Sequence, residues 1–259
     1  MNRIQQLFSE KKDTILSIYM TAGYPNLHDT ATVIQELQKA GVDMIEIGLP
    51  YSDPLADGKT IQDSSTVALQ NGITIEGVFN QLRSIRKTVS IPLLCMGYIN
   101  PIYQFGFESF CKSCKEIGID GVIIPDLPLW EYEEKYKTLF ESYDISVIFL
   151  IAPQTPQERV LQIDKASNGF IYMVSSAATT GSKMDIDNEQ IAYFARISNM
   201  NLKTPRLIGF GISNNATYKK ASEYADGVII GSAFIQAIQK SDNLSDTIQS
   251  FITSIRTGK

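Results

Sequence analysis

One histidine, one tryptophan and three cysteines are spread over 259 residues, and each scarcity removes a class of chemistry. His28 cannot by itself supply the clustered ligands of a catalytic metal, and it stands just before a helical stretch, where opening the helix is its simplest role. Cys95, Cys111 and Cys114 are too few, and odd in number, for a disulfide framework, so reduced thiols are expected. Cys111 and Cys114 have a two-residue spacing inside an amphipathic helical run with no second ligand pair, which argues against zinc or redox use. No apolar run approaches the roughly 20 residues that span a bilayer. The opening MNRIQQLFSEKKD carries charges where a signal peptide needs an apolar core, so a cytoplasmic protein is expected. With 23 Lys and Arg against 28 Asp and Glu, net charge −5 and no basic cluster, the chain lacks the footprint of a nucleic-acid binder.

No linker rich in Pro, Ser or Gly and no break in composition divides the chain, and α/β barrels run to about 250 residues as one unit, so a single domain over residues 1–259 is expected. Short runs rich in β-branched residues alternate with helical ones throughout, the pattern of βα units around a parallel sheet. The strands fall at residues 15–20, 44–48, 92–96, 121–124, 146–150, 170–174, 206–209 and 227–230, nearly all continuously apolar, as doubly covered strands should be. Helices are expected at 29–40, 75–87, 107–117, 130–143, 157–166, 189–198, 214–224 and 244–255, after a short amphipathic N-terminal helix carrying Ile4, Leu7 and Phe8. Eight such strands closing on themselves predict a (β/α)8 TIM barrel with an N-terminal extra helix. The loops that follow strands, at 21–27, 49–59, 97–105, 125–129, 175–188, 210–213 and 231–233, form the rim that carries chemistry in such barrels.

On that rim one segment stands out, DMIEIGLPYSDPLADG over residues 43–58. Met44, Ile45, Ile47 and Leu49 make an apolar strand, which Glu46 interrupts. A carboxylate buried there costs several kcal/mol unless something pairs or uses it, and a partly dry pocket would raise its pKa into the range of general acid and base work. The alternative is a structural glutamate held by backbone or a neighbouring tyrosine. Asp57 follows on the same strand-to-helix connection. Asp-Gly is also a common turn dipeptide, and Asp53-Pro54 fits a turn role well.

Small residues mark a second cluster: Gly209, Phe210, Gly211, Ile212 and Ser213 follow strand seven, and Gly231, Ser232 and Ala233 follow strand eight, where backbone N–H groups can approach a phosphate. Thr179, Thr180, Gly181 and Ser182 lie in the long polar loop after strand six, which either closes over a ligand or is ordinary surface. Tyr19, Tyr98, Tyr172 and Phe210 at or near strand ends make an aromatic cavity for a flat ring, or else plain barrel core. No lysine lies in any expected strand, which disfavours Schiff-base and pyridoxal chemistry. What remains is acid and base chemistry on a phosphorylated, partly aromatic substrate.

These residues carry a resemblance to the alpha subunits of tryptophan synthase over essentially the full chain. EIGLPYSDPLADG (46–58) is its most specific part, supported by GFGIS (209–213), GSA (231–233), TAGYP (21–25), the Tyr172 strand and the Thr180-Gly181 pair. The resemblance implies retro-aldol cleavage of indole-3-glycerol phosphate to indole and glyceraldehyde 3-phosphate in tryptophan biosynthesis. Glu46 would move the protons, and Asp57 would hydrogen-bond the indole N–H, an electrostatic effect of roughly 2 to 4 kcal/mol. Gly181, Gly211, Gly231 and Ser232 would bind the phosphate, Phe210 would pack by the ring, Tyr19, Tyr98 and Tyr172 would line the pocket, and Thr180 would link the closing loop to Asp57. The chain departs from the family at 175–179, which lacks the Arg and Gly that precede the Thr-Gly pair in many relatives.

The resemblance further implies no cofactor in this chain and an alpha2-beta2 heterotetramer with a beta subunit that holds pyridoxal phosphate and takes indole through a tunnel. Asp53, Pro54, residues 125–128 and the 97–105 loop resemble the docking and signalling elements. Beside a stand-alone indole-glycerol-phosphate lyase, two alternatives differ in class: a phosphosugar isomerase or indole-forming synthase on a related barrel, which would share the phosphate loops but not EIGLPYSDPLADG, and a barrel without chemistry that only regulates a partner, which intact Glu46 and Asp57 argue against.

Overall fold

Eight short strands hydrogen-bond in chain order, each parallel to the next, and the last closes on the first. They are β1 (Ile15–Thr21), β2 (Met44–Gly48), β3 (Leu93–Met96), β4 (Gly121–Ile123), β5 (Ser146–Ile151), β6 (Ile171–Val174), β7 (Arg206–Gly209) and β8 (Gly227–Ile230). The computed structural model describes residues 2–11, 13–174, 187–209 and 211–259. The barrel expected from the alternating pattern is thus formed, with strand ends within a residue or so of expectation.

Helices cover the outside: α1 (Arg3–Glu10), α2 (Thr30–Lys39), α3 (Lys59–Gln70), α4 (Ile75–Leu82), α5 (Ile99–Phe105), α6 (Phe107–Ile117), α7 (Leu129–Glu131), α8 (Lys137–Ser142), α9 (Gln157–Ala166), α10 (Asn188–Ser198), α11 (Asn215–Ser222), α12 (Ser232–Ile238) and α13 (Leu244–Thr257). Among the described residues no helix is long and apolar enough to cross a membrane. α3 was not expected. Its buried positions, Ile61, Ser64, Ser65 and Ala68, keep helical spacing, but three of the four are small or polar, so the apolar period is hidden. α5 falls within a stretch expected to be loop; Pro101 reads as a breaker, yet it sits in the first turn, where its missing N–H costs nothing. The helix expected over 75–87 stops at Leu82, and a separate 3-10 turn at Ile85–Lys87 follows, where Arg86 is anchored to the carbonyls of Gly118 and Ile91 (3.0 and 2.6 Å). The helix expected over 130–143 is broken by a π segment at Tyr132–Tyr136 between α7 and α8.

Strand register decides which side chains meet inside. Pairing Tyr19 with Glu46, Glu46 with Leu94, Leu150 with Tyr172 and Tyr172 with Leu207 carries one parity around the ring. Ser17, Tyr19, Glu46 and Tyr172 therefore share the barrel interior, and the alternate residues, such as Cys95, face the helices. All three cysteines are free and buried.

Candidate active site

Glu46 is fully buried in the middle of β2. Its Oε1 accepts a 2.8 Å hydrogen bond from the Ser17 hydroxyl on β1, and its Oε2 has no hydrogen-bond partner among the described residues. Among the described residues no cation pairs with it. Burial pushes its carboxyl up to about 8, against the Ser17 bond, which pulls the other way by favouring the ionised form. A structural glutamate would have its oxygens satisfied. This one keeps an oxygen bare, and it carries a proton at neutral pH.

Asp57 is buried in the loop between β2 and α3. Its Oδ2 accepts 2.9 Å from the Tyr98 hydroxyl, and that hydroxyl in turn accepts 3.0 Å from the Ala56 N–H. Gln62 Nε2 donates to the Asp57 carbonyl at 2.8 Å, and the Asp57 N–H closes a turn onto Pro54. Burial raises the Asp57 carboxyl to about 6, with the Tyr98 bond opposing. Two carboxyls at one barrel mouth thus differ in charge at pH 7: Glu46 neutral, Asp57 mostly ionised. That separation is the pattern by which one site holds an acid and an anion together.

Tyr19 and Tyr172 are buried on the same interior parity. Burial leads the causes that hold both hydroxyls well above the usual tyrosine range, and Glu46 and Asp57 add to it in each case. Both phenols therefore stay neutral. Each depends on a glycine that sequence reading passed over or valued only for a phosphate. A methyl group on Gly48 would overlap the Tyr19 hydroxyl, and one on Gly209 would overlap that of Tyr172. Ser17 was also missed, although a partial signal was present: Ser17, Tyr19 and Thr21 repeat every second residue and so share one face of the strand, which the register then sets on the side of Glu46.

On the far side of β1 from β2, Gly211 follows β7 with φ +77°, a left-handed conformation that favours glycine. Gly231 follows β8 at the N-cap of α12, and Ser232 opens that helix exposed to solvent. β7 and β8 are hydrogen-bonded neighbours, so these positions stand together. Thr180, Gly181 and Phe210, expected from the sequence to complete the site, lie outside the described residues, as does most of the 175–188 loop. Tyr98, expected to line a cavity, donates to Asp57 and packs on Tyr51 with ring centroids 5.3 Å apart. His28 lies in the turn before α2, whose N-cap is Asp29.

A family profile described as tryptophan synthase alpha chain matches residues 4–258. The chain belongs to the tryptophan synthase alpha chain family. A tryptophan synthase alpha chain from Flavobacterium johnsoniae is 59% identical over 256 residues, covering 99% of this chain and 100% of that one. One from Bacteroides fragilis is 56% identical over 243 residues, covering 94% and 92%. The crystal structure of tryptophan synthase subunit alpha from Legionella pneumophila superposes with a TM-score of 0.90 at 34% identity, covering 99% of this chain and 97% of that one. The likeness to tryptophan synthase alpha chains runs the full length of the barrel.

Proposed function

We propose that this chain cleaves indole-3-glycerol phosphate to indole and glyceraldehyde 3-phosphate, with Glu46 and Asp57 as its catalytic residues. The observation that carries this reading is the buried Glu46 carboxyl, protonated near neutrality, with one oxygen free of partners among the described residues and an ionised Asp57 at the same barrel mouth. Indole leaves only if its C3 is protonated. Glu46 gives its proton to C3, and the positive charge that grows on the ring is spread to the ring nitrogen, whose N–H Asp57 accepts. The Glu46 carboxylate then takes the proton of the hydroxyl on the carbon being released. The bond between that carbon and C3 breaks, its electrons restore the indole ring, the carbon becomes the aldehyde, and Glu46 is again protonated.

The remaining roles follow the same reading. Tyr19 and Tyr172 line the ring pocket with Phe210. Gly181, Gly211, Gly231 and Ser232 hold the phosphate, and Thr180 joins the 175–188 loop to Asp57. Indole release should be abolished in Glu46→Gln, which removes the titrating proton and keeps the shape. Asp57→Asn should lose about 100-fold or more in kcat while binding a glycerol phosphate inhibitor as before. Turnover by Glu46→Gln equal to the wild type would sink the assignment.

A pyridoxal-phosphate beta subunit, in an alpha2-beta2 assembly, is the proposed partner; the cofactor belongs to that chain. Leu55, on the loop after β2, and Tyr103, on α5 after β3, are 86% and 69% exposed, large apolar side chains on the connections that form the catalytic rim. Asp53 is exposed beside them, whereas Pro54 turns inward. A hydrogen-bonded path supports a signal from this face: Asp126 accepts from the Ile99 N–H at 2.9 Å, Ile99 opens α5 next to Tyr98, and Tyr98 holds Asp57. Adding a beta chain should raise indole formation from the same substrate by settling Asp57; identical turnover with and without it would favour a stand-alone lyase.

A further inference from the structure

We propose that Ser17 is a positioning residue for Glu46: its hydroxyl keeps Oε1 occupied as an acceptor, so that the exchangeable proton rides on Oε2, the oxygen without a partner among the described residues. The inference rests on the reading that Glu46 is the proton donor. A fully buried serine has a desolvation cost that an apolar residue would avoid. Among the described residues its hydroxyl has one hydrogen-bond partner, Glu46 Oε1, at 2.8 Å. Were the carboxyl proton on Oε1, the serine hydrogen would lose that acceptor in the dry interior of the barrel. With the proton on Oε2, the serine bond is kept, and the acidic hydrogen sits on the one oxygen free to meet a substrate. The bond then strengthens as Glu46 ionises, since a hydroxyl binds a carboxylate more tightly than a carboxylic acid. Ser17 thereby supports both halves of the proton exchange and opposes the upward pull of burial.

The titratable groups that share this interior are Tyr19 on β1, Tyr172 on β6 and Asp57 on the loop after β2. Both tyrosines stay neutral through the working range, and Asp57 titrates near 6, below Glu46. A falling alkaline limb in the activity of the free enzyme therefore reports Glu46.

The test measures kcat/KM for indole release against pH in the wild type, Ser17→Ala, Ser17→Cys and Glu46→Gln. The carboxyl titration of the full chain labelled with carbon-13 glutamate is followed in parallel, with Glu46→Gln identifying the resonance. Ser17→Ala should move the alkaline limb and the Glu46 titration upward by about one pH unit and lower kcat about tenfold at pH 7, with KM held within roughly twofold. Ser17→Cys, similar in shape with a weak donor, should shift both in the same direction, and circular dichroism verifies that each variant is folded. A limb and a titration superimposable on the wild type in both variants, with Glu46→Gln inactive, would overturn the role of Ser17 and leave that of Glu46 standing. Activity persisting in Glu46→Gln would overturn the reading of the reaction and Ser17 with it.

Discussion

Glu46 and Asp57 are eleven positions apart in sequence and share one barrel mouth, yet they titrate at about 8 and about 6. Burial is the main cause in both and is more complete at Glu46, and one hydroxyl donor opposes it at each carboxyl. Glu46 has one neutral donor on one oxygen, whereas Asp57 is held by a tyrosine whose own oxygen is fixed by a backbone N–H. The consequence for stability has a definite sign. The folded pKa of Glu46 lies above its unfolded value of 4.5, so the folded state holds the proton more tightly. Its contribution is fully present below pH 4.5, declines as pH rises, and is lost above about 8. Glu46→Gln cannot ionise and escapes this loss. Urea unfolding at pH 5.5 and pH 9 should show the variant gaining on the wild type by an amount on the order of a few kcal/mol at the higher pH; a difference that does not change with pH would contradict a buried, proton-bearing Glu46.

At the scale of elements, the strand ends and the loops after them make the site. β2 delivers Glu46 and then Gly48, whose lack of a side chain leaves room for the Tyr19 ring from β1. Gly48→Ala should cost roughly 1 to 3 kcal/mol through overpacking and lower activity. Adding Tyr19→Ala should be less harmful in that background than in the wild type, a coupling that a double-mutant cycle in thermal unfolding would measure. The apolar strands and their order were legible in the sequence, because continuous Val and Ile runs bounded by Gly and Pro admit few other readings. α3 and α5 were not. The buried stripe of α3 is built from Ser64, Ser65 and Ala68, and Ser64 earns its place by a 2.7 Å hydrogen bond to Thr21 on β1 rather than by hydrophobicity. Such a partner, 43 residues away, leaves no local trace.

For the whole molecule, chemistry and stability sit at opposite ends of the barrel. At the end away from the site, α1 closes the bottom. Ile4 is fully buried, and a Cβ on Gly121 would stand 2.9 Å from Ile4 Cδ1, so the strand beneath keeps a glycine. Asn2 caps α1 and donates from its side chain to the Asp120 carbonyl (3.1 Å) and the Ser146 hydroxyl (2.8 Å). Buried Asp120 is clamped between Arg3 and Arg86, at 2.9 and 2.5 Å. Ile4→Ala should therefore destabilise by about 2 to 5 kcal/mol in urea unfolding, with kcat for indole release unchanged in the folded enzyme.

The sequence by itself determined the eight βα units, the N-terminal helix, the rim on which function gathers and the two carboxyls worth attention, because periodicity, turn residues and a charge inside an apolar strand are all local signals. Only the tertiary structure decided which oxygen of Glu46 is free, that Ser17 holds the other, that Tyr98 belongs to Asp57, and that Gly48 and Gly209 make room for two tyrosines. Each of those depends on register between strands or on contact between residues 29 to 41 positions apart, and the closing of the sheet, which no single segment contains, sets them.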